Sequence, residues 1–226
     1  MGRSRDTSVI AARVDRWRRI LALCGILGPI IFTIDVIILA LLRPGYSHLS
    51  QTISTLGEIG STNAVAQDLN FFLLGALVIA FSVGLRRGIG GGRASRIGTA
   101  LVGLFGVEVV LAGIFPCDQC SQFGNSAANT LHGLASIVAF FGFLPAPFLL
   151  SLSMRRNSAW QGYPRLSLVM GVLILIFLVA FLLASASPLQ GAFQRLLVGA
   201  IFLYIALMAA RLYRVSSTSG KVASSA

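Results

Sequence analysis

Acidic side chains are scarce in this chain: seven Asp and Glu stand against 18 Lys and Arg, and charged residues of both signs make up only 11% of 226. So few charges cannot cover a soluble globule of this size, which excludes most water-soluble classes. Cysteine occurs three times, too rarely for a disulfide-built scaffold. Histidine occurs twice. Apolar residues, by contrast, reach 56% with a mean hydropathy of +0.85, so lipid is the natural solvent. The formal net charge of +11 would point to nucleic acid in a soluble domain. Here it is confined to loops, which excludes nucleic acid and leaves membrane lipids as the expected partners.

Six apolar runs are long enough to cross a hydrocarbon core of about 30 Å at about 1.5 Å per residue. They lie near residues 20–42, 69–85, 97–115, 130–153, 166–186 and 193–212. The first is longer than the apolar region of a signal peptide and has no small-x-small cleavage site, so it reads as an uncleaved span. The third is rich in small residues (Gly98, Ala100, Gly103, Gly106, Gly113), which let helices approach closely in lipid. Pro145 and Pro147 predict a kink or break in the fourth. The fold class is therefore all-α, a polytopic six-transmembrane-helix bundle. It divides into a basic arm (1–19), a membrane domain (20–212) and a Ser-rich tail (213–226) expected to be disordered. The arm, the 86–96 loop, the 154–165 loop and the tail, counted with Arg211 at the end of the sixth run, hold 16 of the 18 Lys and Arg, leaving Arg43 and Arg195 for the other side. Positive loops stay inside, so both termini are expected in the cytoplasm of a cell-membrane protein.

The least membrane-like stretch is Arg43–Glu58, RPGYSHLSQTISTLGE. Pro44-Gly45 ends the first run, and a short helix is expected after it. Leu49, Ile53 and Leu56 would share one face and Ser47, Gln51, Ser54 and Glu58 another. Asp35 and Glu108 each lie about seven residues, or about 10 Å, below the outer end of a span. A carboxylate at that depth needs a partner, hydration or a proton. It pairs with Arg43, Arg195 or hydroxyls, or else serves a ligand or proton site. His132 opens the fourth span, while Gln194 and Arg195 open the sixth. Together Asp35, His48, Ser54, Glu108, Asp118, His132 and Arg195 form the candidate ligand-binding set, in a polar pocket open to the outside. Ser54 as a nucleophile has no base beside it that sequence alone can assure. Cys117-x-x-Cys120 reads first as a disulfide, since the outer compartment permits oxidation. A redox pair, or a zinc site with His132 and His48, is the alternative.

PGYSHLSQTISTLGE after the first span, GIFPCD closing the third and a histidine opening the fourth occur in an order that resembles the small multi-pass membrane proteins grouped as domain of unknown function 998. The resemblance covers roughly residues 20–212. Tyr46, Ser50, Ser54, Leu56, Gly57, Pro116, Asp118 and His132 match its pattern. It implies a fold and no activity. A looser similarity, to membrane hydrolases of the alkaline ceramidase kind, implies Ser, Asp and three His around zinc. With His48 and His132 alone, this chain cannot assemble that set.

The expected function is an outward-facing pocket that binds a lipid headgroup or small polar ligand, with no cofactor and no resident metal assigned. Two alternatives are open. One is a metal-assisted lipid hydrolase using His48, His132 and Asp118. The other is a proton-coupled transporter with Asp35 or Glu108 as carrier.

Overall fold

The structure, a computed structural model, describes residues 2–118, 120 and 126–224. Its helices are α1 (Gly2–Leu42), α2 (Ala64–Ile89), α3 (Arg93–Ile114), α4 (Ala127–Phe143), α5 (Pro145–Met154), α6 (Tyr163–Leu183) and α7 (Gln190–Ser224). The described residues contain six segments long and apolar enough to cross a membrane, with α4 and α5 together making one of them. Six crossings place both chain ends at one end of the bundle, here the termini end. The connections 43–63 and 184–189, with residues 115–118, 120 and 126, lie at the other, the loop end. Large apolar side chains such as Ile30, Ile34, Ile37 and Leu41 of α1 are exposed along the bundle. A water-soluble monomer does not present so broad an apolar surface, whereas lipid tails cover it at no cost.

The fourth span breaks where the sequence predicts it. Pro145 and Pro147 have no amide proton to give the carbonyls of Phe141 and Phe143, so the ladder lapses at Leu144 although its backbone stays helical (φ −51°, ψ −42°). At the last helix the structure differs from expectation. Where a disordered tail was expected from Tyr213, α7 continues unbroken to Ser224. The basic arm is likewise the first part of α1.

Packing inside the bundle follows the small residues. α2 and α3 form the most intimate pair. A Cβ added at Gly106 would lie 2.7 Å from the Gly75 carbonyl oxygen, and one at Gly113 2.7 Å from that of Asp68. Gly103 faces Ser82, whereas Gly98 turns instead to Leu150 of α5. Across the α1–α2 seam, Asn63 Nδ2 donates to the Leu39 carbonyl (2.7 Å) and Asn70 Nδ2 to that of Phe32 (3.2 Å). In lipid such amides find backbone carbonyls because water is not there to take them. At the termini end, the fully buried Trp160 donates from Nε1 to the Gly88 carbonyl (3.1 Å), and Asn157 Nδ2 donates to that of Ile89 (3.0 Å). These bonds tie the 155–162 connection across the end of α2.

Candidate functional site

The segment after α1 does not form the amphipathic helix expected of it. Gly45 takes a left-handed φ of 75°, a single turn closes from Gln51 N–H to the Ser47 carbonyl (2.9 Å), and a 3₁₀ helix follows at Ile53–Gly57. Ser47 and Gln51 satisfy each other, the Ser47 amide donating to Gln51 Oε1 (2.9 Å), and Leu49 is 59% exposed. Thr52, Ile53, Thr55, Leu56 and Gly57 are buried. Period alone could not reveal that Ser54 leaves the Ser47/Gln51 stripe, because the 3₁₀ turn rotates it toward the bundle.

Three clamps hold this segment down. From α7, Arg195 donates to the carbonyls of His48 (2.9 Å), Gln51 (2.8 Å) and Gly191 (2.9 Å) and to the Tyr46 hydroxyl, with its guanidinium 5.7 Å from the Tyr46 ring centre. One residue earlier, Gln194 Oε1 accepts the Ile53 amide at 2.6 Å. Arg43 pairs with Glu58 (3.2 Å) and donates to the Thr55 carbonyl, while the other Glu58 oxygen accepts the Cys120 amide (3.3 Å). Glu58 thereby joins the first loop to the turn bridged by Cys117–Cys120. That disulfide is present, with its Cα atoms 5.1 Å apart.

Beneath the clamps stands His132, 7% exposed, five residues into α4. Its Nδ1 lies 3.0 Å from the carbonyl oxygens of both Ala112 and Phe115. Carbonyls only accept, so Nδ1 carries the proton and Nε2 of the neutral ring is an acceptor. Ser54 Oγ lies 3.0 Å from Nε2, and its hydroxyl therefore donates to the imidazole. Phe71 braces the ring edge-on at 6.3 Å between centroids.

Ser54 opens on a narrow cavity of about 50 Å³, part of it open to the surroundings. Its walls are mainly apolar, with Phe32, Phe71, Phe105, Phe140 and Phe202 prominent, and four polar side chains reach it from four elements: Ser54, Glu108, Ser136 and Gln194. Glu108 lies six residues from the end of α3, so about 9 Å below it. Because Gln194 Oε1 is taken by Ile53, its Nε2 is the amide's free donor. It has no partner among the described residues, although the side chain is only 7% exposed.

Of the seven residues read from the sequence, Ser54 and Glu108 line this cavity and His132 backs it. His48 and Arg195 line a neighbouring one with Thr33, Val36 and Ile37. His48 sits on the protein surface, edge-on to Tyr46 at 5.5 Å, not beside His132. Arg195 holds the loop. Asp35, half-buried on α1, and Asp118, in the disulfide turn, line neither cavity. Asp35 makes no pair with Arg43 or Arg195. Among the described residues no three His, Cys, Asp or Glu side chains converge so as to hold a metal ion. Sequence reasoning left Ser136 unnoticed and Gln194 outside the site. The first lies one turn after His132 on the same helix face, and the second precedes Arg195 at the helix start.

Burial, and then the Arg195 charge, hold the His48 pKa below its ordinary value. The folded loop thus prefers neutral His48. Its contribution to docking is present above the ordinary imidazole range, about pH 6.5, and is lost as pH falls through the lowered value. Amide exchange across residues 46–57 is expected to quicken modestly between pH 7 and pH 5, after correction for the intrinsic rate. The effect should vanish in His48→Gln.

The chain matches, over residues 26–211, the family described as "Protein of unknown function (DUF998)". No curated protein and no solved structure matches it. The matched region begins within the first span and ends within the last, and so takes in the 3₁₀ segment, the disulfide turn and His132. The six apolar spans agree with the multi-pass architecture of that resemblance, and the chain belongs to the DUF998 family.

Proposed function

We propose that this protein is a cell-membrane protein, with its loop end outward, whose cavity receives part of a membrane lipid. The cavity carries this reading: aromatic walls suited to an acyl chain share one lining with the polar side chains of Ser54, Glu108, Ser136 and Gln194. Sidedness follows from charge, since the arginines of the 86–96 and 154–165 connections crowd the termini end and only Arg43 and Arg195 occupy the other. A lipid tail enters from the bilayer, leaving its polar part level with Glu108. Glu108 is the acid that lines the cavity, so it is the group that selects the polar part, by accepting hydrogen bonds from hydroxyl or ammonium.

A phospholipid with a photoreactive acyl chain is the direct test. Crosslinking of the purified chain in nanodiscs is expected at cavity residues of α3, α4 and α7. Ser136→Phe, which fills the cavity, should lower the yield by about tenfold, equivalent to about 1.4 kcal/mol of lost affinity. Uniform crosslinking over the outer helix faces, unchanged in Ser136→Phe, would refute the reading.

A further inference from the structure

We infer that Ser54 and His132 are a nucleophile and its general base, acting on the carboxylic ester of a lipid held in this cavity. The inference rests on the lipid-binding reading above and adds a reaction to it. Three features of the geometry carry it. Ser54 Oγ lines the cavity and is within hydrogen-bond reach of His132 Nε2 (3.0 Å), the first requirement for an activated serine. The base is oriented by a third group: two backbone carbonyls, of Ala112 and Phe115, hold Nδ1–H at 3.0 Å each. They fix the tautomer, and their dipoles favour the imidazolium that forms on proton uptake, the task a carboxylate performs in a triad. The third feature is Gln194, whose Oε1 is fixed by the amide of Ile53, the residue before Ser54, and whose unpartnered Nε2 is a donor in the same lining. In the proposed reaction it is the donor that meets oxygen charge developing beside Ser54.

The reaction balances with water as co-reactant. Ser54 Oγ bonds to the ester carbonyl carbon as its proton passes to His132 Nε2. The carbon–oxygen bond to the alcohol then breaks, His132 returns the proton to the departing alkoxide, and an acyl ester remains on Ser54. Water attacks that ester with its proton taken by Nε2. The carbon–Oγ bond breaks, the proton goes back to Oγ, and the fatty acid leaves. No metal or electron transfer enters.

The test uses the full chain in nanodiscs with a long-chain alkyl fluorophosphonate, which phosphonylates activated serines with loss of fluoride. One adduct per chain is expected, on the peptide carrying Ser54. It should be absent in Ser54→Ala and slowed at least about 100-fold in His132→Gln, the range general-base catalysis supplies. Gln194→Glu keeps an acceptor for the Ile53 amide and removes the donor; it should slow ester cleavage while the protein stays monodisperse. If His132→Gln does not fold, the wild-type pH profile decides. The labelling rate should rise through a single group in the imidazole range, and a profile flat to pH 9 overturns the inference. Absence of an adduct on Ser54, or an adduct formed equally fast in His132→Gln, also overturns it. Photoreactive lipid capture by Ser54→Ala separates the two readings. Capture without phosphonylation of the wild type leaves a binding cavity and ends the reaction. Phosphonylation without capture ends the lipid assignment. The second result also ends the lipid substrate of the reaction and leaves only Ser54 and His132 as an activated pair.

Discussion

Gly106→Ala is expected to loosen the α2–α3 seam, and Gly106→Val to prevent the bundle from closing. A methyl group at this position would meet the Gly75 backbone oxygen at 2.7 Å, and a Cβ at Gly75 would meet the Gly106 oxygen in return. Neither obstacle is a side chain that can turn aside, so the helices themselves must separate. Overpacking of this kind costs about 1–3 kcal/mol for small groups and more for branched ones. In lipid there is little hydrophobic drive to draw the helices back together, and their van der Waals contact is most of what is lost. The measurement is resistance to denaturation by SDS, compared across Gly106→Ala, Gly75→Ala and the double variant. The double variant should fall short of the sum, because one separation relieves both clashes. Full additivity, or unchanged resistance in the single variants, would contradict the interdigitated seam.

Arg195→Ala should free the 46–57 segment while leaving the six spans intact. One guanidinium meets three carbonyls and the Tyr46 hydroxyl, and lies near the Tyr46 ring. Hydrogen bonds to a charged group contribute about 1.5–3 kcal/mol each, less where water replaces them, so a local loss of about 2–4 kcal/mol is expected for the set. Amide exchange at 46–57 should accelerate by about 30-fold or more, with exchange in α2 and α3 unchanged. Arg195→Lys should recover only part, because an ammonium cannot reproduce the planar fork. Ser54 is held to His132 through this same segment, so the fluorophosphonate adduct should decline in step with loop opening. Protection of 46–57 equal to wild type in Arg195→Ala would refute the clamp.

The site was partly legible in the sequence. Glu108 and Ser54 emerge as polar residues at a shared end of an apolar chain, and both line the cavity. Asp35 has the same depth by counting, yet depth along a helix says nothing about azimuth, and α1 turns it away from both cavities. His48 and His132 look alike in a list of scarce imidazoles. One sits on the loop surface and the other beneath it, because the 3₁₀ turn carries Ser54, and not His48, inward. Arg195 reads as a ligand residue by charge and location. Its actual partners are carbonyls contributed by a loop about 145 residues earlier, a pairing that no local pattern encodes.

Composition, hydropathy and the two prolines by themselves determined the solvent, the number of crossings and the break before Pro145, while the pairing of Cys117 with Cys120 was the first of several sequence readings and is seen in the structure. Each of these follows from transfer free energy or from covalent geometry acting over one helix length or less, and so each is written locally. Tertiary structure alone decided which polar residues meet. The approach of Ser54 to His132 depends on the Arg195 and Glu58 clamps, the 3₁₀ turn and the α3 carbonyls acting together across some 140 residues of chain, and long-range geometry of that kind has no signature in residue order.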